Sequence, residues 1–331
     1  MSGEELQRCA DAAAVASLYG PLDGRGAFFI TGASSGFGYE TALALVRAGG
    51  CVVRACRPGA KADAAAERVR AAAARGAAVH LLPLDLAAPA SVRACAAAFA
   101  ALRLPLAALV LNAGVIGLPF GALAAGAEPQ LQVNLLGHAL LHALLAPALA
   151  ASPHARGVVV SRGSNYWQSA RAELDMAREL PPRAENFSFG FAYSFSNVAR
   201  ILWARGLAKR GGCPAVSLHP AVSKTDIGAN LARLPLLSAL SALCSIVPKA
   251  LWYEWRGMLE GQSAAQGART QTWAAVAPRA ELDPVSGCFF SGNRSDGPLG
   301  APVAPCAVAQ RDDYAEEVMR FVDAFVEANR A

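Results

Sequence analysis

Residues 28–38 read FFITGASSGFG, a run of apolar β-type residues that leads through a glycine-rich turn into a helical sequence. Strand, turn and helix in this order are typical of a phosphate-binding unit. The glycines allow a tight turn, a close approach of the backbone to the anion and close packing of the helix, whose N-terminus supplies amide donors. The unit predicts a parallel sheet flanked by helices.

The rest of the chain repeats this alternation of short β-type runs and longer, alanine-rich helical stretches, as βαβ units do. Strands are predicted at 27–31, 51–55, 78–82, 107–111, 158–161, 215–219 and 287–290. Helices are predicted at 36–48, 60–75, 90–102, 128–150, 194–210, 262–277 and 311–329. We expect an α/β protein with a Rossmann-type, doubly wound parallel sheet of about seven strands in the order 3-2-1-4-5-6-7.

The pattern predicts a single dinucleotide-binding domain at 26–331, preceded by an N-terminal extension at 1–25. Two segments interrupt the alternation: 165–190 is polar and contains prolines, and 226–260 is apolar and carries two tryptophans. Both follow predicted strands at the edge of the sheet where ligands bind in this architecture. They are candidate walls of a substrate pocket, although the tryptophans suit plain core packing equally well.

Composition narrows the classes of partner. The 331 residues are 54% hydrophobic and 17% charged, with a net charge of +5 and no basic run longer than two residues. This disfavours a nucleic-acid surface and suits an anionic cofactor. The eight cysteines form no CxxC pair, and we expect reduced thiols and no metal site. His138 and His142 are spaced i, i+4 without a glutamate between them, so we interpret them as helix-face residues.

The N-terminal sequence and the apolar stretches bear on localisation. The first twenty residues contain Glu4, Glu5 and Asp11 and no apolar core, which disfavours a secretory signal. The apolar stretch at 235–248 is too short to span a bilayer, but contact with a membrane surface through 235–255 remains open. We expect an intracellular protein, cytoplasmic by default or in an organelle, without a transmembrane segment, as a monomer or homodimer.

The phosphate loop has the spacing TGxxxGxG, and together with further motifs it resembles that of the short-chain dehydrogenase/reductase family. The resemblance extends to LDLAAPASVR at 84–93, LVLNAGV at 109–115, QVNLLGH at 132–138 and LHPAVSKTDI at 218–227. Residues 261–293 are similar to the tail of the retinol dehydrogenase and protochlorophyllide reductase branch. The resemblance implies that a nicotinamide dinucleotide is held by Gly32, Ser34, Ser35, Gly36, Phe37, Gly38, Asp85, Leu86, Asn112, Ala113, Gly114, Pro220 and Thr225.

The end of the second predicted strand indicates which dinucleotide is bound. A carboxylate there would bind the ribose 2′-hydroxyl group and repel a 2′-phosphate. The chain instead reads ACRPG at 55–59, with Cys56 and Arg57 and no acidic residue. Because an arginine can bind a phosphate through two donors, we expect NADP(H). A solvated loop arginine is the alternative.

The stretch GFAYSFSNVARILWARGLAKR at 190–210 resembles the tyrosine helix of the family. The match places Tyr193 on the catalytic tyrosine and Asn197 where the family has a lysine. The resemblance implies that the tyrosine hydroxyl exchanges a proton with the substrate oxygen while a hydride moves to or from the nicotinamide. It also implies that Asn134 maintains a proton-relay water.

The serine that orients the substrate oxygen is also altered. RGVVVSRGSNYW at 156–167 aligns with the serine pair of the family when Ser161 takes the first position and Arg162 the second, which normally contacts the substrate. Ser164 reaches the site only if the loop is rebuilt. Arg162 either supplies the positive charge that the absent lysine would have given and polarises the substrate oxygen, or it points to solvent or fills the space where the substrate would lie.

These substitutions affect the two directions of the reaction differently. Without a nearby cation, a phenol has a pKa of about 10 and is ionised in roughly one molecule per thousand at neutral pH. Alcohol oxidation needs the ionised form and carbonyl reduction the neutral one. We therefore predict an NADP(H)-dependent reductase of a bulky apolar carbonyl or conjugated substrate. The alternatives are a catalytically silent NADP(H)-binding sensor or scaffold and, third, a photoreductase of the protochlorophyllide type.

Overall fold

A sheet of eight strands forms the centre of the protein, seen in a computed structural model that describes residues 3–121, 127–160, 180, 189–220, 262–292 and 296–331. The strands are β1 (Ala27–Thr31), β2 (Cys51–Cys56), β3 (Ala78–Pro83), β4 (Leu106–Leu111), β5 (Gly157–Val160), β6 (Ala215–His219), β7 (Phe289–Ser291) and β8 (Pro302–Val303). Their order is β3-β2-β1-β4-β5-β6-β7-β8. The predicted order of seven parallel strands is confirmed, and β8 adds an antiparallel edge to β7.

Strand β8 was not predicted because it is short and carries a proline. It has two residues, and Pro302 lies opposite Phe290 of β7. A proline has no backbone N–H to donate, so within sheets it is found at edge strands, where one side needs no partner. Two residues with a proline give no alternating pattern that sequence analysis could detect.

The central strands β1 and β4 are apolar runs because both faces of the sheet are covered there. Every residue of β1 and of β4 is buried. Alternate side chains of each strand enter opposite layers: Phe29 and Leu109 enter one apolar cluster, and Phe28 and Val110 enter the other. This pattern is the one expected of a parallel sheet between two helical layers.

Eleven α-helices are found in the described residues, beside two short 3-10 helices. They are α1 (Gly3–Arg8), α2 (Ala12–Leu18), α3 (Gly36–Arg47), α4 (Ala60–Ala71), α5 (Pro89–Ala101), α6 (Pro129–Ala150), α7 (Phe189–Arg210), α8 (Ala264–Gly267), α9 (Arg269–Val276), α10 (Arg279–Leu282) and α11 (Asp312–Asn329). Side chains of α5, α6, α7 and α11 fill one apolar layer. Side chains of α2, α3 and α9 fill the other.

The segment before β1 contains two helices that were not predicted. Helix α2 begins after Asp11, whose carboxylate accepts a hydrogen bond of 2.9 Å from the amide of Ala14. Val15 and Ala16 are fully buried, and α2 packs on α3 and α9. Both helices are shorter than the usual window for detecting periodicity, and alanine gives little contrast between faces.

Helix α7 packs along α11. Val318, Met319 and Val322 of α11 are buried in the same apolar layer as α7. At Gly206 of α7, an added Cβ would collide with the side chain of Met319. A glycine is therefore required there for the two helices to approach each other this closely, and this contact helps to set the position of α7.

Helix α6 is the one helix in the described ranges that is long and apolar enough to cross a membrane by length and composition. Its side chains, among them Leu135, Leu140 and Leu141, are buried in the apolar layer against the sheet. Core helices of globular proteins pass the same test, so length and composition alone give weak evidence of a membrane span.

Several predicted features lie outside the described residues. They are Ser161, Arg162, Ser164, Thr225, the segments 226–260 and 235–255, and most of 165–190. The expectations for them stay predictions.

Candidate active site

The glycine loop between β1 and α3 lies directly against the segment that follows β4. Gly32 has a φ of +69°, and its N–H donates to the carbonyl of Ala55 at 2.8 Å. A Cβ on Gly32 would lie 2.9 Å from the Cα of Ala113, and a Cβ on Gly38 would collide with Nδ2 of Asn112. Gly36 also has a positive φ, of +58°. The loop therefore requires glycine, both for its turns and for its close packing.

The other residues of the predicted phosphate loop lie around the start of α3. Ser35 precedes the first helical residue, and Phe37 is buried. The carbonyl of Phe37 accepts a hydrogen bond of 3.1 Å from Nε2 of Gln271 in α9. Helix α3 has twelve residues and begins at the loop, and its first amides have no acceptor within the helix.

Asn112 and Ala113 are attached to the end of β1. Asn112 Nδ2 donates to the carbonyl of Thr31 at 2.8 Å, and the amide of Ala113 donates to Thr31 Oγ1 at 3.0 Å. Gly114 follows them. These bonds hold the loop after β4 beside the loop after β1, so the two motifs that the sequence separates by about eighty residues form one wall.

His138 links this wall to α6. Its Nε2 lies 2.9 Å from Thr31 Oγ1, and its Nδ1 lies 3.0 Å from the carbonyl of Asn134. A carbonyl only accepts, so Nδ1 carries the proton and Nε2 accepts from the Thr31 hydroxyl. Burial, with the nearby Arg200 guanidinium, lowers the pKa of His138 to about 3. The imidazole is therefore neutral and fixed in one tautomer.

This buried imidazole makes the stability of the protein dependent on pH. With a folded-state pKa of about 3 and an unfolded value of about 6.5, only the unfolded state takes up the proton as pH falls below 6.5. The stabilising contribution is complete above that pH and declines by about 1.4 kcal/mol per pH unit below it. Between pH 7 and pH 5 we expect His138 to account for a loss of about 2 kcal/mol in the free energy of unfolding, measured by urea titration.

Two variants test this assignment. His138→Gln keeps a donor and an acceptor but no titrating ring, so its free energy of unfolding should change less between pH 7 and pH 5. His154→Gln is the comparison: His154 is exposed, and slight burial together with Arg156 and Arg25 lowers its pKa, so its replacement should reduce the pH dependence much less than His138→Gln does. Equal pH dependence in His138→Gln and the unmodified protein would contradict the assignment.

Asn134 lies in a π-helical turn of α6, at Gln132–Leu136. Its Oδ1 accepts from the amide of Val115 at 2.8 Å, and its Nδ2 donates to the carbonyl of Val115 at 3.1 Å and to Ser196 Oγ at 2.9 Å. Both donor hydrogens of the amide are used. Asn134 thus clamps the loop after β4 to α7, and π turns are often found at functional sites.

Helix α7 presents Tyr193, which is buried with 6% of its surface exposed. The carbonyl of Tyr193 accepts hydrogen bonds from Ser196 Oγ at 2.8 Å and from Asn197 Nδ2 at 2.9 Å. Asn197, at the position of the family's lysine, is fully buried, and its amide donates one hydrogen bond back into its own helix. Ser196 in turn accepts from Asn134 Nδ2, so α7 is attached to α6 one turn after Tyr193.

Arg200 is a buried cation on this helix that the sequence did not single out. It lies seven residues after Tyr193 and so on the same face of α7. It is 1% exposed, and its Nη2 donates to the carbonyl of Leu111 at 2.5 Å, where β4 ends. The available sequence signal was an arginine within the apolar stretch VARILW. An apolar stretch of this kind is usually buried, and a buried arginine usually has a specific partner.

Asp85 and Leu86 form a turn that is fixed to α6. The carboxylate of Asp85 accepts from the amide of Ala87 at 3.0 Å, and the carbonyl of Leu86 accepts from Gln132 Nε2 at 3.1 Å. A Cβ at Gly137 would collide with the carbonyl of Leu86. The predicted adenine-side turn is thereby held at a fixed place beside the sheet.

The end of β2 carries two arginines in different surroundings. Arg57, which was predicted to bind phosphate, is exposed. Arg54 is fully buried within β2, and its Nη2 donates to the carbonyl of Ala33 in the glycine loop at 2.6 Å. Sequence reasoning treated Arg54 as an ordinary strand residue. Its signal was a charged residue inside an otherwise apolar run.

Pro220 is buried immediately after β6, and the carbonyl of the preceding His219 accepts a hydrogen bond of 2.7 Å from the amide of Gly292.

Among the described residues, no group of three His, Cys, Asp or Glu side chains is arranged to hold a metal ion. The structure thus brings Gly32, Gly38, Asn112, Ala113 and Asn134 into one connected wall at the end of the sheet, with the tyrosine helix behind it.

Comparison with known proteins identifies relatives of this arrangement. A family model described as short chain dehydrogenase matches residues 27–174. Retinol dehydrogenase 12 of Homo sapiens is 35% identical over 265 residues, which cover 79% of this chain and 76% of that protein. The family model includes the glycine loop, and a match over 79% of the chain must include the tyrosine helix as well.

Two solved structures share the fold. A protein described as uncharacterised, from Mycobacterium paratuberculosis, superposes with a TM-score of 0.63 at 25% identity, covering 94% of this chain and 97% of that one. An NADP complex of Pseudomonas aeruginosa RhlG superposes with a TM-score of 0.57 at 22% identity, covering 82% of this chain and 96% of that one. At these identities the likeness concerns the architecture.

Proposed function

The chain belongs to the short-chain dehydrogenase/reductase family, and we propose that it is an NADP(H)-dependent oxidoreductase that reduces the carbonyl group of a bulky apolar substrate. The observation that carries the proposal is the run of buried hydrogen bonds from Asn112 through Thr31, His138, Asn134 and Ser196 to the tyrosine helix. These hydrogen bonds hold the helix that carries the proposed proton donor at a fixed position relative to the glycine loop. Catalysis by proximity and orientation requires such a fixed position.

The glycine loop fits a dinucleotide. A Cβ at Gly32 would meet Ala113 and one at Gly38 would meet Asn112, so glycine keeps the loop close to the segment after β4. The amides at the start of α3 suit a pyrophosphate. When bound, the nicotinamide supplies the hydride. The residues that would hold the cofactor are Gly32, Ser34, Ser35, Gly36, Phe37, Gly38, Arg57, Asp85, Leu86, Asn112, Ala113, Gly114, Pro220 and Thr225.

The end of β2 supports NADP(H) over NAD(H). Cys56 stands where a carboxylate would select the ribose 2′-hydroxyl, and Arg57 follows it with an exposed guanidinium. A 2′-phosphate would meet positive charge here and no acidic side chain from Cys56 to Ala60.

Tyr193 is assigned as the proton donor. Asn197 brings no ammonium group to it, and a phenol without a neighbouring ammonium stays protonated at neutral pH. The protonated state is the one that donates to a developing alkoxide, so the substitution favours reduction over oxidation. The guanidinium group of Arg200 lies on the same face of α7, about two turns from Tyr193.

The proposed substrate class rests on two supports. The relative with 35% identity is named a retinol dehydrogenase, so its name refers to a long apolar substrate. The sequence of this chain at 226–260 is itself apolar and follows β6, at the sheet edge where substrates bind in this architecture. Both favour an apolar carbonyl over a small polar one.

A second candidate function is a catalytically silent protein that binds NADP(H) as a sensor or scaffold subunit. The observation that favours it is Asn197, which is buried and donates to the carbonyl of Tyr193. Binding would survive this arrangement, because the glycine loop does not depend on residue 197. The two candidates differ in turnover and agree on binding.

One experiment separates them: NADPH affinity is measured by fluorescence titration beside NADPH consumption over a panel of apolar aldehydes and ketones. We expect micromolar binding and measurable reduction. Binding without turnover on any carbonyl would favour the silent protein.

Asn197→Lys is expected to raise the rate of alcohol oxidation at neutral pH by about tenfold or more. A cation about 4 Å from a phenol is worth roughly 4 kcal/mol at an effective dielectric of 20, and it would increase the ionised fraction that oxidation needs. The measurement is NADP⁺ reduction with an alcohol substrate. Asn329→Lys, at the end of α11, is the matched control and should leave the rate unchanged. An Asn197→Lys protein that is folded but no faster would contradict the expectation.

A further inference from the structure

Arg54 is a buried charge beneath the glycine loop. The residue is fully buried, although it lies on β2 opposite Ile30 of β1 and Leu81 of β3, in the apolar interior of the sheet. Nη2 donates to the carbonyl of Ala33, while Nε and Nη1 meet no hydrogen-bond acceptor in the described part of the chain. A buried guanidinium with two nitrogen atoms unsatisfied is costly unless an anion balances it.

The surrounding groups do not provide that anion. Burial lowers the pKa of Arg54, and Arg70 and Arg68 lower it further. The side chains that act in the opposite direction are the thiol of Cys56 and the phenol of Tyr39, and these groups are ordinarily neutral at pH 7. Among the described residues, no carboxylate accepts a hydrogen bond from the Arg54 guanidinium or forms an ion pair with it. The positive charge of Arg54 is therefore available to interact with an anionic ligand.

The position of Arg54 indicates which anion this is. Side chains alternate along a strand, so Arg54 shares a face of β2 with Cys56, the residue at the strand end beside the ribose position. Ala33, its partner, lies in the loop that would hold the pyrophosphate. Arg54 therefore lies beneath the loop and two residues before the end of β2, and the 2′-phosphate of NADP(H) is expected just beyond that end.

We propose that Arg54 is a specificity-determining positioning residue: a fixed internal cation that favours a 2′-phosphorylated dinucleotide over an unphosphorylated one. The proposal rests on the proposed NADP(H) function. Because no surface of Arg54 is open, it acts through the carbonyl of Ala33 and through its charge, without touching the phosphate. Arg57 differs, since its exposed guanidinium can meet the phosphate directly. An internal charge is screened by salt much less than an exposed one.

The test compares two variants that both keep a donor for Ala33 and differ in charge, Arg54→Lys and Arg54→Gln. Dissociation constants for NADPH and NADH are measured by fluorescence titration, and those for 2′,5′-ADP and ADP by calorimetry. We expect Arg54→Gln to reduce the preference for the phosphorylated ligand by about tenfold or more and Arg54→Lys to retain most of it. Arg57→Gln should lose mainly the part of the preference that 0.5 M NaCl also removes.

Two results would overturn the proposal: an unchanged preference in Arg54→Gln, or an equal loss of affinity for both ligands in Arg54→Gln and Arg54→Lys, which a purely structural role predicts. If Arg54→Gln does not fold, Arg54→Lys measured at low and high salt decides, because the internal charge predicts a preference that persists at high salt. Failure of the unmodified protein to bind any of the four ligands would count against the proposed function itself, whereas normal NADPH preference with no effect of Arg54 would remove only this inference.

Discussion

Gly38→Ala is expected to weaken the binding of NADPH by at least about a hundredfold and to lower the free energy of unfolding by about 1–3 kcal/mol. The added Cβ would collide with Nδ2 of Asn112 and lie 2.8 Å from the carbonyl of Gly32 and 3.2 Å from the Cα of Ala33. Asn112 cannot yield freely, because the same Nδ2 donates to the carbonyl of Thr31. The loop must therefore move away from the segment after β4, and its amides lose their alignment.

The measurements are a fluorescence titration with NADPH and a urea unfolding curve. Gly121→Ala is the matched control: an added Cβ there meets no atom within 4 Å, and it should leave both quantities unchanged. If Gly38→Ala bound NADPH as tightly as the unmodified protein, the glycine loop would not be the dinucleotide site.

Tyr193→Phe is expected to lower the turnover number for carbonyl reduction by about 10²- to 10⁴-fold, the usual contribution of a general acid. The ring stays, so packing is preserved, and the carbonyl of residue 193 still accepts from Ser196 and Asn197. The glycine loop is untouched. NADPH affinity should therefore stay within about twofold, and the loss should fall on turnover.

Tyr314→Phe gives the comparison, because Tyr314 is as deeply buried as Tyr193, at 6% exposure, but lies on α11. Its replacement should leave turnover unchanged. Retained turnover in Tyr193→Phe, with Tyr314→Phe as active as the unmodified protein, would place the proton donor elsewhere. Loss of NADPH binding in Tyr193→Phe would instead show that the ring supports the cofactor site.

The sheet could be predicted because its strands are local and strongly patterned. β1 and β4 are apolar runs bounded by glycine, proline or polar residues, and the alternation with helices implies parallel pairing. β8 was not predicted because two residues are too few to show an alternation of apolar and polar side chains. The helices before β1 escaped because alanine-rich stretches of six or seven residues show little contrast between a buried and an exposed face.

The sequence motifs of the candidate site could be recognised, whereas the contacts between them could not be predicted. The glycine loop, Asn112, Asn134 and Tyr193 each stand in a recognisable local sequence, and the structure places the first three in one hydrogen-bonded wall. The roles of His138 and Arg54 depend on distances between strands and helices that are far apart in sequence. The periodicity of a sequence gives no information on such distances. His138 was therefore interpreted only as a helix-face residue, whereas the structure shows it buried between Thr31 and Asn134.

The packing of α11 against α7 has a consequence for biosynthesis. About a hundred residues separate the end of α7 from the start of α11, and at roughly 5–20 residues per second the ribosome needs about 5 to 20 s to add them. During that interval the face of α7 that packs on α11 is exposed, including Gly206, which contacts Met319 in the folded protein. Nascent chains stalled just before residue 312 should therefore be bound by chaperones and cut by protease within α7, and chains stalled well beyond residue 331 should resist.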